Sequence, residues 1–155
     1  MRWFASGAAA AMIAAAGVAG AVEQDPAFGE WLVESGSAIV RIAPCAGESA
    51  CGAIVWLARP KDESGAPQTD AANPDPALRE RPLCGMTFLS GFSREKPGVW
   101  TGGQIYNAED GETYSARMEV RDDGKLHLRG YVGLPIFGKS QTWTRAEGDR
   151  GGCKG

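Results

Sequence analysis

The chain has 155 residues, 43% of them hydrophobic, with 16 Lys and Arg against 19 Asp and Glu, four cysteines and a single histidine. A nucleic-acid binder presents a basic surface, and a polybasic membrane-surface protein does the same, so this acidic balance excludes both classes. The length suits one domain with one core.

In chain order, the first element is a leader. Arg2 is followed by the apolar run Ala8 to Val18, which is shorter than the ~20 residues a membrane span needs. Ala19, Gly20 and Ala21 supply the small-residue pattern of a cleavage site, so residues 1–21 read as a secretory signal peptide removed after Ala21. The expected product is a periplasmic or secreted protein with no stable membrane span. Removing 21 residues from 155 leaves 134, with 15 basic and 19 acidic residues, a net charge of −4. Residues 22–155 are expected to form one domain.

That domain alternates with period two in short runs broken by glycine-containing turns, the pattern of half-buried antiparallel strands. Strands are expected over Gly29 to Glu34, Ala38 to Ile42, Gly52 to Ala58, Gly85 to Gly91, Val99 to Tyr106, Tyr114 to Val120, Leu126 to Tyr131 and Ser140 to Arg145. Asp110-Gly111 and Asp122-Asp123-Gly124 read as hairpin turns, and Gly102-Gly103 as a bend or bulge. About eight strands at this spacing suit an all-β sandwich or a small antiparallel up-and-down barrel, and closure is favoured because it leaves no open edge. One long loop, Arg59 to Arg81, interrupts the pattern. A short helix is expected in it, capped by Asn73, with Pro74 first and Leu78 packing inward.

Cys45, Cys51, Cys84 and Cys153 form an even set in an exported chain, which reads as two disulfides, with three pairings open. Cys51 and Cys84 both open strands. If those strands are antiparallel neighbours, their starts lie roughly 20 Å apart at ~3.3 Å per residue, too far for a bond. Cys45–Cys51 with Cys84–Cys153 is therefore the preferred pairing, the second tying the C-terminal tail to the barrel. The spacings contain no C-x-x-C pair, so zinc is not expected.

Several segments resemble those of the DUF2147 family of exported bacterial proteins. They include Gly29-Glu30-Trp31, Val40 to Cys45, Cys51 to Leu57, Asn73-Pro74 with Leu78-Arg79, Arg81 to Gly85, Trp100 to Tyr106, Asp110-Gly111 with Thr113-Tyr114, Leu128 to Tyr131, and Gln141-Thr142-Trp143-Thr144-Arg145. Asn107-Ala108-Glu109 departs from the pattern where a proline is expected. The resemblance implies a lipocalin-like barrel. It also implies structural roles for Trp31, Trp143 and Arg145, with the Arg145 guanidinium stacked over the Trp31 ring, a contact worth about 0.5–2 kcal/mol.

A search for catalytic chemistry is negative. His127 falls on the outward face between Lys125 and Arg129, with no carboxylate or second ligand placed to make a triad or metal site. Asp62, Asp70 and Asp75 lack calcium-loop spacing and read as parts of a solvated loop. Ser90 and Ser140 lack the surroundings of a nucleophile elbow. No enzyme, metal or cofactor is expected. The leading expectation is a monomeric binder of a small apolar or amphipathic ligand, with Trp56, Phe88, Tyr106, Tyr114 and Met118 lining or rimming the cavity. The alternative is a packed barrel that docks an envelope protein through Tyr131, Arg129 and the long loop with Arg79. The apolar segment Gly133 to Gly138 is expected to cover one mouth of the barrel.

Overall fold

The computed structural model describes residues 25–134, 136 and 138–153. The expected signal peptide, residues 1–21, lies outside them. Eight strands close into an antiparallel barrel in sequence order: β1 Gly29–Leu32, β2 Ala38–Pro44, β3 Ser49–Leu57, β4 Thr87–Lys96, β5 Val99–Asn107, β6 Glu112–Val120, β7 Leu126–Tyr131 and β8 Gly138–Arg145. Every expected strand is present, with bounds shifted by a few residues. Among the described residues no helix is long and apolar enough to cross a membrane.

Alternation explains the core. Trp31 of β1, Val40 and Ile42 of β2, Ala50 of β3, Leu89 and Phe92 of β4, Trp100 of β5, Ala116 and Met118 of β6, Leu126 and Leu128 of β7 and Trp143 of β8 form one buried cluster. Each fully buried Leu, Met or Phe among them contributes about 1.5–3 kcal/mol. Five register shifts curve the ladder, including one between Trp100 and Gly103. The Gly102-Gly103 pair is thus the expected bulge, and a Cβ on Gly103 would lie 2.4 Å from the Phe92 ring. Phe92 fills the space that a side chain there would need.

Closure depends on a short strand. β1 pairs with β8 only through Trp31↔Arg145 and Leu32↔Thr144. Arg145 stands 3.8 Å over the Trp31 ring and donates to the carbonyls of Phe28 and Pro26, while Trp31 Nε1 donates to Ala27 at 2.8 Å. The expected stack is therefore present. The disulfides are Cys45–Cys51 and Cys84–Cys153.

Up-and-down order gives the barrel two distinct ends. The floor holds the N-terminal segment and the β2–β3, β4–β5 and β6–β7 turns; the mouth holds the long β3–β4 loop and the β1–β2, β5–β6 and β7–β8 connections.

Candidate functional site

The floor half is filled. Trp31, Trp100, Phe92, Ala116, Met118 and Leu126 have no exposed surface, so not even a water molecule reaches them from a void. Asp25 seals the end: its carboxylate accepts from Trp100 Nε1 at 3.0 Å, Arg94 Nε at 2.8 Å and the amides of Gly98 and Ala27. Burial raises this carboxyl's pKa, but the bonds from Trp100, Ala27, Arg94 and Gly98 outweigh it and hold the value below the usual carboxylate range.

The mouth half is built differently. Ile105 and Tyr114 face each other across β5 and β6, on the face shared with Ala116 and Met118. The pairs Gly52↔Leu89 and Ala53↔Thr87 leave Phe88 as the extra residue of a bulge, and its ring packs against the core 6.5 Å from Trp143. These half-buried side chains form an apolar wall. Opposite them, Gln141 and Lys139 share the face of Trp143, because Leu126↔Trp143, Leu128↔Gln141 and Gly130↔Lys139 are successive pairs of one register. Both are exposed, because four-residue β1 gives the mouth half of β8 no ladder partner. Gln141 Oε1 accepts from Trp143 Nε1 at 2.8 Å. The lumen is dry and apolar at the floor, and at the mouth it is apolar on one side and polar on the other.

The long loop is fastened beside this mouth by a second buried carboxylate. Asp70 is 0% exposed and accepts from Tyr106 Oη at 2.5 Å, Asn73 Nδ2 at 2.7 Å and Arg81 Nε at 2.9 Å. Burial pushes its pKa up, while the bonds from Tyr106, Asn73 and Arg81 bring it below the ordinary value. Two expectations are corrected here. Asp70 is a buried anchor and not a solvated loop residue, whereas Asp62 and Asp75 cap local turns some distance along the loop. The expected helix is a 3-10 turn over Pro76–Leu78 capped by Asp75, because the Asn73 side chain is committed to Asp70 and to the Asp75 amide. Leu78 accordingly stays 38% exposed and does not pack inward.

The five residues expected to meet a ligand do not converge. Phe88 and Tyr114 lie in the mouth half, and the Tyr114 hydroxyl donates to Asp110 at 2.7 Å in the β5–β6 turn. Met118 is locked in the floor. Tyr106 is spent on Asp70, with Arg81 5.6 Å over its ring. Trp56 pairs with Ile39 on the outer wall, where Arg150 of the C-terminal tail sits 5.0 Å over its ring in an external cavity of about 430 Å³. Cys153 holds that tail across β3. Val132, Leu134 and Ile136 are 67%, 62% and 75% exposed, so these side chains border the mouth and do not cover it; Phe137 lies outside the described residues. Sequence reasoning missed Lys139 and Gln141, although a strand reading Lys-x-Gln-x-Trp on its inward positions already describes a lumen that is wet at one end.

A family model described as "Uncharacterized protein conserved in bacteria (DUF2147)" matches residues 29–145. Among solved structures, the Helicobacter pylori protein HP1028, described as belonging to the lipocalin family, is 25% identical, with a TM-score of 0.66 over 78% of this chain and 83% of that one. No curated protein matches.

Proposed function

From the premise that the chain belongs to the DUF2147 family, we propose that it is an exported, non-catalytic binding protein. It takes a small amphipathic ligand in the mouth half of its barrel. The observation that supports this most is the two-sided lumen: Phe88, Ile105 and Tyr114 on one side, the exposed Lys139 and Gln141 on the other. An apolar wall opposite a few convergent polar groups is the usual composition of a small-molecule site. The packed floor limits the ligand to the shallow half, and Lys139 favours an anionic polar end.

The test is titration of a fluorescent dansylated undecanoic acid. One equivalent is expected to bind, about tenfold more weakly to Lys139→Gln and to Tyr114→Ser, a factor set by about 1.4 kcal/mol each. Binding that neither substitution changes, or none at all, would overturn the reading. A second reading, docking of an envelope protein on the rim, is supported by the exposed Val132, Leu134 and Ile136. It predicts that serine at positions 132 and 134 abolishes capture of a partner while probe binding persists.

A further inference from the structure

The outer wall of β6, β7 and β8 carries a second site unrelated to the lumen. There a cavity of about 210 Å³ is lined by Arg117, Glu119, Arg121, His127, Arg129 and Ser140. Its register is regular: Arg117↔Arg129↔Ser140 form one outward row, and Glu119↔His127↔Thr142 the next. Its three arginines and one glutamate sum to +2.

Two features separate this patch from an ordinary solvated face. Arg117 and Arg129 stand directly opposite each other on neighbouring strands, where like charges destabilise a sheet. The Glu119 carboxylate lies 4.0 Å from Arg117, and Arg129 Nη1 donates to Ser140 Oγ at 2.8 Å. Second, the Nε2 atom of His127 is buried and has no hydrogen-bond partner among the described residues. Its Nδ1 lies 3.4 Å from Thr142 Oγ1; when that hydroxyl donates, the ring proton sits on Nε2, which becomes a buried donor in need of an acceptor. Arginine forks, a hydroxyl and an imidazole N–H match the oxygens of a tetrahedral oxyanion, and the net +2 matches a dianion.

We propose that this wall binds a phosphate dianion, free or as the headgroup of a phosphate monoester. Arg117 and Arg129 hold two of its oxygens from facing strands, Arg121 adds charge, and His127 Nε2, covered in the unliganded wall, is uncovered as the arginine side chains turn onto the anion and donates to a third oxygen.

The experiment is calorimetric titration of the full chain with inorganic phosphate at pH 7.5 in low salt. Saturable 1:1 binding is expected, about tenfold weaker in Arg117→Gln and in Arg129→Gln, and unchanged in Lys61→Gln, a distant loop residue. Acetate, a monoanion, should bind more weakly than phosphate. Because the chain has one histidine, the imidazole 15N resonances report on it without ambiguity, and phosphate should move the Nε2 signal. The ligand-free melting temperature of Arg117→Gln should not fall, since the substitution relieves a repulsion; this separates lost binding from lost folding. Equal affinity in all variants, heats no larger than with chloride, or an unmoved Nε2 signal would each overturn the proposal. Vesicles of phosphatidylcholine with phosphatidic acid distinguish the sources: retention that inorganic phosphate competes away assigns a lipid headgroup, and phosphate binding without retention assigns a soluble phosphate compound.

Discussion

Two buried aspartates do the same chemical work at opposite ends of the barrel, with different structural results. Asp25 and Asp70 each accept from an arginine and from an aromatic side chain, Asp25 also from the backbone amides of Ala27 and Gly98 and Asp70 from the side-chain amide of Asn73. Asp25, however, joins the N-terminal segment to Arg94, Gly98 and Trp100 of the β4–β5 hairpin, inside the sealed floor. Asp70 joins a long loop to a single barrel residue, Tyr106, its other partners Asn73 and Arg81 belonging to the loop itself. Similar bonding therefore supports the whole domain in one place and the posture of a loop in the other. The buried carboxylate is a cheap tether for irregular chain, and its consequence depends on what the tether spans.

The widest separation between the two comes from deleting each carboxylate. Asp25→Ala leaves the Arg94 guanidinium and the Trp100 and Gly98 donors unpaired in the floor, and breaking a buried pair in this way costs about 3–5 kcal/mol. Its urea midpoint should fall for all probes together. Asp70→Ala should cost less globally, about 1–3 kcal/mol for the orphaned partners, but make the segment 59–83 a preferred site of limited proteolysis while β6 and β7 amides stay protected from exchange. Coincident global loss in both variants would erase the distinction.

Acid should erode both tethers at once. The folded-state pKa of each carboxyl is depressed, so the stability it adds is present above the ordinary carboxylate value near 3.9 and is lost as pH falls through the lower folded value. The denaturant midpoint of the wild type should therefore be flat from pH 7 to about 5 and drop below about pH 4. The double variant Asp25→Asn, Asp70→Asn starts lower but does not titrate at these positions, so its slope below pH 4 should be shallower; an equal slope would assign acid sensitivity elsewhere.

Most of the barrel was legible in the sequence because its strands obey alternation, and the Trp31 and Arg145 stack was legible because the family resemblance implied it. The tethers were not. Asp70 stands among prolines, glycines and charges that read as solvated, and Tyr106 lies 36 positions away; Arg94 lies 69 positions from Asp25. Local pattern cannot reveal such partners. Trp56 misled for a related reason. The run Ala53 to Leu57 is apolar on both faces because the C-terminal tail covers the outer one, and the bulge opposite Ile39 and Val40 shifts the register so that Trp56 faces the tail. Alternation separates two faces of a strand without saying which is the lumen.

The smallest expected effect tests how the loop is placed rather than how it is tied. Gly111 has φ +73°, which alone costs an alanine about 1–2 kcal/mol. A Cβ there would also lie 2.1 Å from the carbonyl oxygen of Ala72, on the stretch between Asp70 and Asn73. The β5–β6 turn and the tethered loop therefore touch at a point where no side chain fits. In Gly111→Ala one of them must retreat, and the turn is the less able to, being closed by the Gly111 amide donating to the Asn107 carbonyl and by the Tyr114 hydroxyl donating to Asp110. The loop should move, raising proteolysis near Ala72 without the full loss expected in Asp70→Ala. If cleavage stays at the wild-type level while the melting temperature falls, the turn has yielded instead, and the loop is held more firmly by Asp70 than the comparison with Asp25 implies.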